Sequence, residues 1–170
     1  MTLCLVAPVS GPIVDPFVAP ACRYCPGERT IDFASRPDEA IRAPIGGVVH
    51  FAGAVAGRVY VTIRPEPDGR EPQSNPRQGT RQGFLVTVGG VERIADGVRR
   101  GRLVEPGQIL GWATGPDEPV SLSVRDDSGL HLDPTPHLGT LRSDGPRSRL
   151  IPVDGTARHL GPRVVCRPGG

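Results

Sequence analysis

The chain has 170 residues, a formal net charge of +2 and 37% hydrophobic residues. That suits one compact domain with a core and argues against a partner held by a strong field, such as nucleic acid. All of its cationic side chains are Arg, and its aromatic residues are one Trp, two Tyr and four Phe, without any nucleic-acid-binding motif among them. No apolar run approaches the ~18 residues needed to cross a bilayer, so no integral membrane segment is expected.

Residues 1–7, Met-Thr-Leu-Cys-Leu-Val-Ala, are apolar but too short and uncharged for a complete secretory signal. They read either as the remnant of a leader or as a chain that simply begins there. From residue 8 to 138, short β-branched runs alternate with Gly and Pro turns, and no 3.6-residue apolar period is sustained. Strands are expected at 31–34, 40–42, 47–52, 59–64, 84–88, 91–94, 109–113, 120–125 and 130–132. So many short strands imply an all-β fold, a sandwich or barrel-like pair of sheets with little helix. Residues 65–82 hold four prolines and no aliphatic side chain, the composition of a flexible loop inserted between two strands. After residue 138 the composition turns to Gly, Pro and Arg, and 139–170 reads as a tail.

Cys22 and Cys25 flank two residues in a loop bounded by Pro20 and Pro26. A redox C-x-x-C belongs at a helix N-terminus after a strand, and no helix follows here. The readings are a local disulfide in an exported loop, a free pair, and, last, a redox centre. Cys4 and Cys166 lie near opposite ends and could pair only if those ends meet; four cysteines allow three connectivities. Strand alternation turns His50 outward, opposite in direction to Val49. His131 and His137, six residues apart, match neither helical nor strand ligand spacing, and His159 lies in the tail. All four histidines read as surface or hydrogen-bonded residues.

The segment Gly27-Glu28-Arg29-Thr30-Ile31-Asp32-Phe33-Ala34 resembles the H-x-G-x-D-x-A stretch that opens the zinc site of LytM/lysostaphin-type endopeptidases, which cut peptidoglycan cross-bridges. Asp32 and Ala34 match; Glu28 stands at the histidine position and Thr30 at the glycine position. Further stretches resemble the family in order: Pro8-Val9-Ser10-Gly11 with Ile13 and Phe17 as its entry strand, Ala43-Pro44-Ile45-Gly46-Gly47-Val48-Val49-His50-Phe51-Ala52-Gly53 after the first metal motif, Gly101 to Gly111 before the second, and Leu132-Asp133-Pro134 at the close. These cover roughly three quarters of the chain, and their order is more specific than any one glycine motif. The resemblance implies antiparallel sheets forming a barrel-like sandwich with a substrate groove.

Active relatives bind zinc through the His and Asp of the first motif and the second His of a later H-x-H, whose first His assists water activation. Counting back from Asp133-Pro134 sets that H-x-H on Pro119-Val120-Ser121. Ser121 then replaces a ligand, Pro119 replaces the assisting base and Glu28 replaces the first ligand. No catalytic residue, no zinc and no other cofactor is therefore expected. Asp32 and Glu28 remain as vestigial metal candidates, able to hold a hard cation weakly; otherwise Asp32 caps backbone and Glu28 faces water. The resemblance implies a catalytically silent LytM-like domain of the cell envelope or exterior, binding peptidoglycan or a partner such as a cell-wall hydrolase. The alternative is an active metal-dependent endopeptidase with a rearranged site, for which Glu28, Asp32, His131 and His137 would be the ligand set. A lipoyl- or biotinyl-type carrier would share the glycine rhythm, but the chain has no Lys for the attachment.

Overall fold

The computed structural model describes residues 3–22, 24–65, 83–142 and 163–166. Twelve strands follow one another: β1 (Ile13–Asp15), β2 (Ile31–Phe33), β3 (Ala40–Arg42), β4 (Gly47–Val55), β5 (Arg58–Pro65), β6 (Phe84–Ile94), β7 (Leu103–Val104), β8 (Ile109–Ala113), β9 (Val120–Asp126), β10 (His131–Leu132), β11 (Thr140–Arg142) and β12 (Arg163–Val165). A single 3-10 turn, Thr135–His137, is the only helical element among the described residues. The fold is all-β, as the residue pattern and the resemblance both imply.

Ten strands make one hydrogen-bonded sheet in the order β1-β2-β9-β6-β5-β4-β7, with β10 on β9 and β8 joining β3 to β6. Every strand pair is antiparallel. Alternation decides which side is dry. In β9, Val120, Leu122 and Val124 are buried while Ser121 and Ser123 are only partly covered and Arg125 is exposed. Val86 and Val88 of β6, Val61 and Ile63 of β5, and Ile31 and Phe33 of β2 face the same core. Each fully buried aliphatic side chain contributes about 1.5–3 kcal/mol relative to exposure. A one-residue slip would carry this whole set to the opposite face, so the apolar alternation fixes the register of the polar face as well.

The central strand β6 is one 11-residue element, where the sequence suggested two strands separated by a turn at Gly89-Gly90. Gly90 has φ of +74°, which bends the strand without ending it. The half before the bend pairs with β9, and the half after it pairs with β8. The short strands β1, β7, β11 and β12 carry too few apolar residues to announce themselves by pattern. The expected strand at 130–132 is the two-residue β10.

The packed unit extends past the expected bounds of 8 and 138. Leu3 and Leu5, from the stretch read as a leader remnant, are 5% and 0% exposed in the core. Leu5 bridges Leu138 in parallel, and Cys4 is disulfide-bonded to Cys166 with their Cα atoms 5.5 Å apart. The expected loop over 65–82 lies outside the described residues except for Pro65 in β5. Of the expected tail, residues 143–162 and 167–170, including His159, also lie outside them.

Candidate functional site in the polar face of the sheet

The face opposite the core is built of strand residues in cross-strand rows. In the first row Asp15 pairs with Asp32 and Asp32 pairs with Ser121. The row runs on through Gly89 of β6 to Tyr60, which pairs with Gly53. In the next row Ser123 pairs with Thr87, Thr87 with Thr62, and Thr62 with Phe51. The Thr62 and Thr87 hydroxyls are 3.0 Å apart in a hydrogen bond. A bulge between Val49 and Phe51 turns both His50 and Phe51 to solvent.

The pairing sets Asp32 directly across from Ser121, the positions that the sequence reading had matched to two zinc ligands. Glu28 reaches the same place through Thr30. The Thr30 hydroxyl lies 2.8 Å from Glu28 Oε1 and 2.7 Å from Asp32 Oδ1, and the Thr30 amide also donates to Glu28 Oε1 at 3.3 Å. One hydroxyl has one hydrogen, so the Thr30 hydroxyl is shared as a donor between the two carboxyl groups. Burial pushes the Asp32 pKa up, and Glu28 and Asp15 add to the rise, against the Thr30 hydrogen bond and Arg58.

Pro119 stands just before β9, and its carbonyl packs against the Gly90 backbone. Gly89 leaves the slot between Ser121 and Tyr60 open: a Cβ there would come 2.5 Å from Ser121 Oγ and 2.8 Å from the Tyr60 ring. Arg58 reaches this end of the face and pairs with Glu118 at 3.8 Å.

The other proposed ligands form no metal-holding group with these among the described residues, although His131 hydrogen-bonds the backbone of Arg29. His131 pairs with Arg125 in β10–β9; burial, then Arg125 and Arg29, hold its pKa below the usual histidine value. Its Nδ1 is buried without a hydrogen-bond partner among the described residues. His137 sits in the 3-10 turn, where its carbonyl accepts the Leu5 amide, and His50 is exposed. Among the described residues no three His, Cys, Asp or Glu side chains are grouped to hold a metal ion. The donors at the zinc position do not fit that ion. They are two carboxyl groups, both engaged by the Thr30 hydroxyl, and a neutral serine hydroxyl, with no imidazole or thiolate. Cys22 and Cys25 form a disulfide with Cα atoms 4.9 Å apart, in a loop that no helix follows.

Sequence reasoning had no means to find Asp15, which the strand order sets beside Asp32. It set Arg64 at a family histidine position and Arg125 on the strand that walls the groove but assigned neither a role; both share the polar face at its other end. The signal for that sharing is parity: each lies an even number of residues from a groove position in its strand.

No family model and no curated protein sequence matches the chain. Solved structures do. Csd3 of Helicobacter pylori is similar over 83% of this chain, with a TM-score of 0.59 and 20% identity, and the match spans 36% of the Csd3 chain. The catalytic domain of the antimicrobial peptidase lysostaphin from Staphylococcus simulans is similar over 74% of this chain and 90% of that domain, with a TM-score of 0.55 and 16% identity. A chain of the SpoIIQ–SpoIIIAH pore-forming complex is similar over 81% of this chain and 92% of its own, with a TM-score of 0.55 and 16% identity. The protein therefore has the LytM/lysostaphin-type peptidase fold, with a carboxyl–hydroxyl chain standing where the resemblance would put a zinc site.

Proposed function

We propose that this is a catalytically silent LytM-like domain that uses the polar face of its sheet to bind peptidoglycan, or a protein acting on it, at the bacterial cell envelope. One observation carries the reading: the Thr30 hydroxyl links the carboxyl groups of Asp32 and Glu28 beside Ser121. Three changes act together here. Glu28 and Ser121 replace imidazole ligands, and Pro119 has no side-chain base. Changes around a metal site that spare its ligands already cost about 10–100-fold in affinity, so the loss of two ligands removes stoichiometric zinc. The hydroxyls of Ser121, Ser123, Thr87 and Thr62 remain as hydrogen-bonding groups along the floor, with Tyr60 and Phe51 as an aromatic side. The two disulfides agree with an oxidising location outside the cytoplasm.

Metal analysis of the purified protein, combined with sedimentation on isolated cell walls and a hydrolysis assay, tests the proposal. Expected are less than stoichiometric zinc, co-sedimentation with the walls, and no cleavage. Glu28→His, Pro119→His and Ser121→His together should raise zinc affinity, because they restore the ligand set at positions the sheet already holds adjacent. One zinc per chain with chelator-sensitive hydrolysis in the unmodified protein would overturn the silent reading and favour the rearranged, active site.

A further inference from the structure

The polar face carries opposite charges at its two ends. At one end, Asp15 and Asp32 are adjacent across β1 and β2, and Glu28 joins them through Thr30. Arg58 approaches this end, but Glu118 pairs with it. At the other end, Arg125 of β9 and Arg64 of β5 are exposed and flank Leu85 of β6. Neither arginine has an ion pair or a hydrogen bond among the described residues. The two carboxylates that follow Arg125 in the chain serve turns: Asp126 accepts from Ser128 and Leu130, and Asp127 accepts from the Gly83 amide. Between the two ends lie the hydroxyls of Ser121, Ser123 and Thr87, with nothing apolar on β9 to interrupt them.

The spacing is set by the strand itself. Ser121, beside Asp32, and Arg125 are four residues apart on β9, which is about 13 Å at the usual strand rise. An extended peptide of about four residues has the same length between its amino and carboxylate groups. A guanidinium binds a carboxylate through paired hydrogen bonds, and the carboxylates bind an ammonium, each stronger than a neutral contact. We infer that this face binds a short extended peptide with both ends free, its ammonium group at Asp15 and Asp32 and its carboxylate at Arg125 and Arg64. The inference rests on the silent-groove reading and names the ligand class of that same face.

Free tetra-alanine is the probe, with N-acetyl-tetra-alanine, tetra-alanine amide and a chitin oligosaccharide as comparisons, each titrated calorimetrically into the intact protein. The free peptide should bind, and blocking either end should weaken binding about tenfold or more, as expected for one charge-assisted contact. Arg125→Gln together with Arg64→Gln should abolish the difference between the free acid and the amide. Asp32→Asn should reduce the penalty of the acetyl group. The capped peptides test the idea on unmodified protein, so a variant that fails to fold leaves the result intact. Equal affinity for free and capped peptides, or binding of the oligosaccharide alone, overturns this inference. Binding to isolated walls without binding to tetra-alanine also overturns it, while leaving the silent cell-wall module standing. Binding to neither overturns both.

Discussion

Breaking the two disulfides should have very different consequences, because they close loops of very different length. Cys4 and Cys166 are 162 residues apart, and Cys22 and Cys25 are three apart. In the chain-entropy model the long bridge restricts the unfolded chain by about 5 kcal/mol and the short one by about 2 kcal/mol. For a domain of this size each kcal/mol corresponds to about 2–4 °C in Tm. Cys4→Ser with Cys166→Ser should thus lower Tm by about 10–20 °C, and Cys22→Ser with Cys25→Ser by about 4–8 °C. Local contacts add to the first figure. Cys166 directly follows β12, which pairs only with β11 among the described strands, and Leu141 of β11 packs against Gly107. Thermal unfolding of the two double variants, followed by circular dichroism under non-reducing conditions, measures both. Equal losses, or a larger loss from the Cys22–Cys25 pair, would refute the reasoning.

Asp32→Asn should change how stability depends on pH. The folded state holds the Asp32 proton more tightly than the unfolded chain, so this site favours folding below the ordinary carboxylate range, and that benefit is lost as pH rises through the raised value. The advantage of Asn over Asp in urea titrations should grow from pH 3 to pH 7; a flat or reversed trend would show that the Asp32 pKa is not raised. Ala56 and Gly57 form the two-residue turn between β4 and β5, with φ of 51° and 83°. Ala56→Asn suits that left-handed turn better and should stabilise the protein by about 1 kcal/mol; no gain in urea midpoint would count against the turn geometry.

The fold was legible where alternation is long. Val120, Leu122 and Val124 in β9 announce a half-buried strand, and so do Val61 and Ile63 in β5. It was obscure where an element is short or bent: two-residue β7 shows no period, and Gly89-Gly90 looks like a turn because glycine there serves a bend and a close approach. Counting along the chain set Ser121 at the position that the sheet pairs with Asp32. The Thr30 link between two carboxyls was not readable, because it depends on side-chain rotamers. Neither was the place of Leu3 and Leu5 in the core, since six apolar residues in seven look alike in a leader and in a buried strand.

The Cys4–Cys166 bridge also decides how the domain responds to being pulled. Tension entering near residue 4 and leaving near residue 166 passes across a Cα separation of 5.5 Å through a covalent bond. None of it reaches the hydrogen bonds of β2, β9 and β6 that hold the polar face in shape. With the bridge reduced, the same tension would fall first on the Leu5–Leu138 contact and the β11–β12 pair, peeling the ends away before loading the main sheet. The oxidised domain is a mechanical bypass, able to keep the shape of its polar face while its own chain is under strain.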